Sequence, residues 1–199
     1  MDLTMNKIVL TEASGIDEGL ARQVKQVALV AGGIALLAAS AKIQVAMWPV
    51  PMTMGTFAVL GIGATYGARL GLVTILGYML IGMLGFDVFA SSSAEVNGIA
   101  YMMGGTGGYL VGYVLAVLAL GVLARAGWDR SVPKMAAAML LGNVLIYVPG
   151  LLWLGVLYGW ENPILEWGLT RFVVGDMVKL ALAALLLPAA WKLIGRAKG

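Results

Sequence analysis

Six stretches of mostly apolar residues, separated by short charged or turn-forming segments, set the first limit on what this chain can fold into. They lie near residues 26–46, 52–67, 70–86, 105–124, 135–157 and 172–194. A helix crossing the hydrocarbon core of a bilayer needs about 20 such residues, with roughly 17 to 25 tolerated. Only 12% of the 199 residues are charged, against about 25% in a soluble domain, and the mean hydropathy is +0.93. The expectation is an all-α integral membrane protein with six transmembrane helices. Its 28 glycines suit helices that approach one another closely within lipid.

Lys and Arg usually collect on the cytoplasmic side of a membrane protein. If residues 1–22 form a cytoplasmic tail, the inner segments hold Lys7, Arg22, Lys25, Arg69, Arg125, Arg130, Lys134, Lys192, Arg196 and Lys198, which is 10 of the 13 basic residues. The outer loops then hold only Lys42 and Arg171, and Lys179 falls inside the last span. This asymmetry predicts one membrane domain over residues 23–199 with both termini cytoplasmic. The first 20 residues are polar and lack the short apolar stretch of a secretory signal.

His and Cys are absent, which removes imidazole and thiolate chemistry: triads, thiol nucleophiles, disulfides and the commonest metal ligands. No metal site and no cofactor are expected. A net charge of +3, distributed by membrane topology, gives no basis for nucleic-acid binding. The Gly-rich run GGTGGYLVG (104–112) lacks the spacing of a phosphate-binding loop, and no Walker-type motif occurs in the chain. Any ATP-driven transport would therefore need a separate ATPase.

Two charges inside the last span carry the most information. Asp176 and Lys179, in RFVVGDMVKLALAALLL, are three residues apart and share one helix face. Charges within a span are expensive and usually meet a partner or a polar cavity. At about 1.5 Å rise per residue they lie roughly 7 and 12 Å below Arg171, in the outer half of the membrane. Either they line an outward-facing pocket or they form a structural ion pair. Asn143 and Tyr147 stack four residues apart on span five; a buried Asn offers donor and acceptor groups to an amide-like or urea-like ligand, or to a neighbouring helix. Asn97, in the long second outer loop, has the same chemistry.

The outer loops are the elaborate ones. The first contains WPVPMT (48–53), stiffened by two prolines, the second runs from 86 to 105, and the third from 158 to 171. Trp48, Trp160 and Trp167 suit either the membrane interface or a ligand. Small residues at a four-residue spacing let helix backbones approach. Ala31, Ala35 and Ala39 make such a stripe on span one, and Gly104, Gly108 and Gly112 another at span four; internal packing and external docking both fit these patterns.

The ordered set WPVPMT, GGTGGYLVG, GNVLIY followed by PGLLWL, and GDMVKLALAA, on a six-span chain of this length, resembles the BioY family, the biotin-binding S components of energy-coupling factor (ECF) transporters. The resemblance covers roughly residues 25–195. It departs from the family pattern at Gly55, where a Gln is often found, and at Gly105, where a Pro commonly stands. The resemblance implies an S-component-like six-helix bundle that captures biotin near the outer face under the loop between spans one and two. By motif, the substrate-binding residues would be Asp176 and Lys179, with Asn143, Asn97, Trp48 and Tyr147 as further candidates. It also implies a transmembrane coupling protein and a pair of ABC ATPases as partners, docked through Ala31, Ala35 and Ala39. Asp176 would accept from ureido N–H groups and an Asn would donate to the ureido carbonyl. Lys179 would either hold Asp176 ionised or meet the ligand. The alternative is a stand-alone secondary permease in which Asp176 and Lys179 relay ions or protons. An enzyme is disfavoured, because Asp176 is the only carboxylate well inside a span.

Overall fold

The computed structural model describes residues 8–14, 19–93 and 95–197. The chain is mainly helical, with α1 (Gly19–Lys42), α2 (Gly55–Met83), a short α3 (Gly98–Met102), α4 (Gly107–Arg125), α5 (Val132–Tyr158) and α6 (Val173–Ala197). Among the described residues, five helical segments are long and apolar enough to cross a membrane. A two-stranded antiparallel ribbon, β1 (Gln44–Val45) with β2 (Met52–Thr53), links α1 to α2, with Gln44 opposite Thr53.

The expected second and third spans fall on two arms of α2, residues 55–66 and 68–83, broken at Gly67 (φ 78°, ψ 171°). That conformation is open almost only to glycine. The break reverses the chain. In a straight helix residues 63 and 71 would stand about 12 Å apart, yet a Cβ built on Gly71 would lie 3.7 Å from the Gly63 Cα. A glycine at the reversal and two more on the facing surfaces thus allow a hairpin with no loop.

α4 sits at the centre of the bundle and α1 at its edge: over their most apolar windows 56% of α4 is buried and only 22% of α1. Glycine sets the closeness of the α4–α5 contact. A Cβ on Gly108 would lie 2.3 Å from the Pro149 carbonyl oxygen, and one on Gly112 would lie 2.6 Å from the Ile146 Cα. Pro149, inside α5, has no N–H to complete the helix there, and α4 packs against that point. Of the glycine stripe, Gly108 and Gly112 therefore serve internal packing.

One end of the bundle gathers the segments near the termini. Val9 is fully buried, Arg125 holds Glu12 at 2.7 Å, and the Arg130 guanidinium donates to the Ile8 carbonyl. There too the Trp191 indole N–H donates to Asp129, a carboxyl 1% exposed whose pKa burial pushes up. Of the expected tail 1–22, residues 8–14 pack on this end, helix α1 already starts at Gly19, and 1–7 and 15–18 lie outside the described residues. α1 also stops at Lys42 rather than near 46, because Gln44 and Val45 pair with β2. The long connections 43–54, 84–106 and 159–172 all meet at the opposite end.

Candidate functional site

At that opposite end a cavity opens between α1, both arms of α2, α4, α5 and α6. Tyr109 and Tyr113 of α4 stand on one wall, Tyr78 and Phe89 on another, and Val50 and Pro51 of the first connection close over it. The charged group is on α6, where Asp176 and Lys179 line the wall at 6% and 8% exposure.

Their hydrogen bonds define the chemistry of this wall. The Lys179 ammonium donates to Asp176 Oδ1 at 2.9 Å, to the Thr53 carbonyl at 2.7 Å and to Thr56 Oγ1 at 3.0 Å. An ammonium has three N–H groups, so all three are used within the protein. Thr53 ends β2 and Thr56 starts α2, so Lys179 ties the first connection to α6. Tyr147 donates its hydroxyl to Asp176 Oδ2. Each carboxylate oxygen accepts up to two hydrogen bonds, and here each receives one. Asp176 therefore keeps acceptor capacity for a donor entering the cavity, while Lys179 compensates its charge.

The connections over the cavity are fixed by polar clamps. Lys42, at the end of α1, donates to Asp87 and to the Phe89 carbonyl, 2.9 Å away. Phe89 is thereby held between Tyr78 (edge-on, 5.3 Å) and Tyr101 (stacked, 4.9 Å). Tyr109 donates across the cavity wall to the Gly168 carbonyl in the third connection at 2.8 Å.

Of the residues singled out from sequence, Asp176, Lys179 and Tyr147 meet at the cavity. Asn143 is half-buried on α5 and is not part of the lining. Asn97 precedes α3, where its amide donates to the Ser93 carbonyl, and it too lies off the cavity. Trp48 is 63% exposed and packs edge-on against Tyr158 and Trp167 at 5.4 and 5.0 Å, making an aromatic rim rather than a wall. Ala31, Ala35 and Ala39 lie exposed along the outer face of α1. Sequence reasoning missed Thr53, Thr56, Tyr109 and Tyr113. The two tyrosines were detectable as a polar pair four residues apart at the mouth of span four; the Thr53 carbonyl, a backbone group, carries no sequence signal.

Such a bundle, with a cavity opening at one end and a compensated carboxylate in its wall, is that of a multi-pass helical membrane protein. A solved structure described as the S-component for biotin from an ECF-type ABC transporter has the same fold: TM-score 0.70, covering 88% of this chain and 95% of the other, at 18% identity. The BioY family profile matches residues 9–196, and the chain belongs to the BioY family. It is 35% identical to the probable biotin transporter BioY of Pyrococcus horikoshii, over 82% of this chain and 94% of that one. With the biotin transporter BioY of Thermotoga maritima it shares 31% identity, over 79% and 92% respectively.

Proposed function

We propose that this protein is the biotin-capturing S component of an ECF-type importer, crossing the membrane six times with both termini in the cytoplasm. The two arms of α2 provide the second and third crossings. Family membership and the shared fold support the class; the observation that carries the ligand is the buried Asp176–Lys179–Tyr147 cluster, whose carboxylate has unused acceptor capacity facing an aromatic cavity.

Biotin has a ureido ring with two N–H donors, an apolar thiophane ring and a chain ending in a carboxylate. Asp176 receives a ureido N–H in a charge-assisted hydrogen bond, stronger than a neutral one. Tyr147 fixes the orientation of the carboxylate, and Lys179 pairs with it in a low-polarity wall. Tyr109, Tyr113 and Phe172 cover the thiophane ring, and the acidic tail points to the mouth under the WPVPMT connection. Asn143 and Asn97 have no part in this site. Import needs a coupling protein and a pair of ABC ATPases, and the exposed Ala31, Ala35 and Ala39 stripe is the docking face, smooth enough for another helix backbone to approach.

Calorimetric titration of ligand-free protein with biotin tests the reading. Saturable binding near one equivalent, abolished in Asp176→Asn that keeps its unfolding temperature, is the expected result. No binding by folded wild-type protein overturns the ligand assignment. Uptake into liposomes driven by an ion gradient alone would instead favour the permease.

A further inference from the structure

A second cleft, remote from the cavity, opens at the end of the bundle where the terminal segments gather, between the first half of α1 and the reversal of α2. The Tyr66 hydroxyl donates to the Leu29 carbonyl across it at 3.0 Å, and it closes where Gly77 receives the Ile34 side chain. Beyond Leu29 toward the N-terminus α1 parts from the bundle: Leu20, Val24 and Val27 are 75%, 60% and 69% exposed.

The cleft is lined by Arg22, Lys25, Arg69 and Arg125, against one acid among the described lining residues, Glu12, which is engaged by Arg125. Arg22 lies seven residues before Leu29, about 10 Å along the helix, and Arg69 follows the Gly67 reversal; both line the cleft. Above them the walls turn apolar, with Val30, Ile34, Leu70 and Val73. Val73 and Leu76, at 52% and 47% exposure, continue that apolar track over the outer surface of α2.

We propose that this cleft binds one anionic phospholipid of the surrounding bilayer, its phosphate between Arg22 and Arg69 and an acyl chain along Val73 and Leu76. The argument is charge complementarity, from basic side chains that line one cleft, joined to a hydrocarbon track beside it. Basic pockets between transmembrane helices have the chemistry of lipid headgroup sites, and two arginines favour bidentate phosphate contacts. The inference needs only that the chain is embedded in lipid, not that its cargo is biotin.

Native mass spectrometry of the detergent-purified full chain, titrated in parallel with dioleoyl phosphatidylglycerol and dioleoyl phosphatidylcholine, provides the test, with glycerol 3-phosphate as a headgroup-only arm. The expected result is at least a tenfold preference for one phosphatidylglycerol over phosphatidylcholine, without retention of glycerol 3-phosphate. Arg22→Gln/Arg69→Gln should reduce that preference at least fivefold with biotin binding unchanged, Arg22→Lys/Arg69→Lys should keep most of it, and Arg171→Gln at the opposite end should not alter it. Equal retention of the two lipids by wild-type protein overturns the proposal, as does retention of glycerol 3-phosphate alone. So does an undiminished preference in the Gln variant, or an equal loss in Arg171→Gln.

Discussion

Replacing Lys179 with Met keeps most of the unbranched side chain and removes its charge, so it tests what the ammonium does for the cavity wall. Three hydrogen bonds are lost and Asp176, at 6% exposure, is left with only the Tyr147 hydroxyl. Removing one partner of a buried ion pair costs about 3–5 kcal/mol, because the other charge stays uncompensated. At about 2–4 °C per kcal/mol for a chain of this size, the unfolding midpoint should fall by roughly 6–20 °C. Asp176→Leu in the same chain removes the orphaned charge but leaves the Tyr147 hydroxyl without its acceptor, a cost of about 1–3 kcal/mol. The double variant should therefore unfold at a higher temperature than Lys179→Met alone. Its biotin affinity should nevertheless fall by about 30-fold to several thousand-fold, corresponding to roughly 2–5 kcal/mol for a buried charge-assisted contact. Thermal unfolding followed by tryptophan fluorescence, with calorimetric titration of each variant, completes the cycle. Additive losses of stability, or wild-type affinity in the double variant, would refute the reasoning.

The Lys42 clamp predicts a pH dependence. The Lys42 hydrogen bond, and then that of Ser92, hold the Asp87 carboxyl below its ordinary 3.8; the clamp is thus complete above that value and weakens as pH falls through the lower folded pKa, so hydrogen exchange over 86–93 should quicken below about pH 4, and Asp87→Asn should remove this acid response. Two glycines predict opposite signs. Gly112→Ala drives a methyl group into the α5 backbone and should destabilise by about 1–3 kcal/mol, whereas Gly32→Ala, mid-helix with nothing within 4 Å of its added Cβ, should stabilise by up to about 1 kcal/mol; thermal unfolding checks both.

The class of fold and part of the site were written in the chain itself. Bilayer thickness fixes the length of an apolar helix, and burying a charge is costly wherever it occurs, so the run of long apolar helices and the pairing of Asp176 with Lys179 follow from local sequence. The exposed Ala31, Ala35 and Ala39 stripe was legible for the same reason, since a helical period maps directly onto a face. What side chains meet across helices is a different matter. Asn143 and Tyr147 share a stretch of α5, yet only Tyr147 reaches the cavity, because the α4–α5 contact at Gly108 and Gly112 fixes which part of α5 borders it. Lys179 finds its acceptors at Thr53 and Thr56, more than 120 residues earlier, and one of them is a backbone carbonyl that any residue would supply. Hydropathy and periodicity report how each segment faces its solvent. The closeness of two helices, the reversal at Gly67 and the partners of a buried charge are set by how several segments fill one space together, and only the tertiary structure decides them.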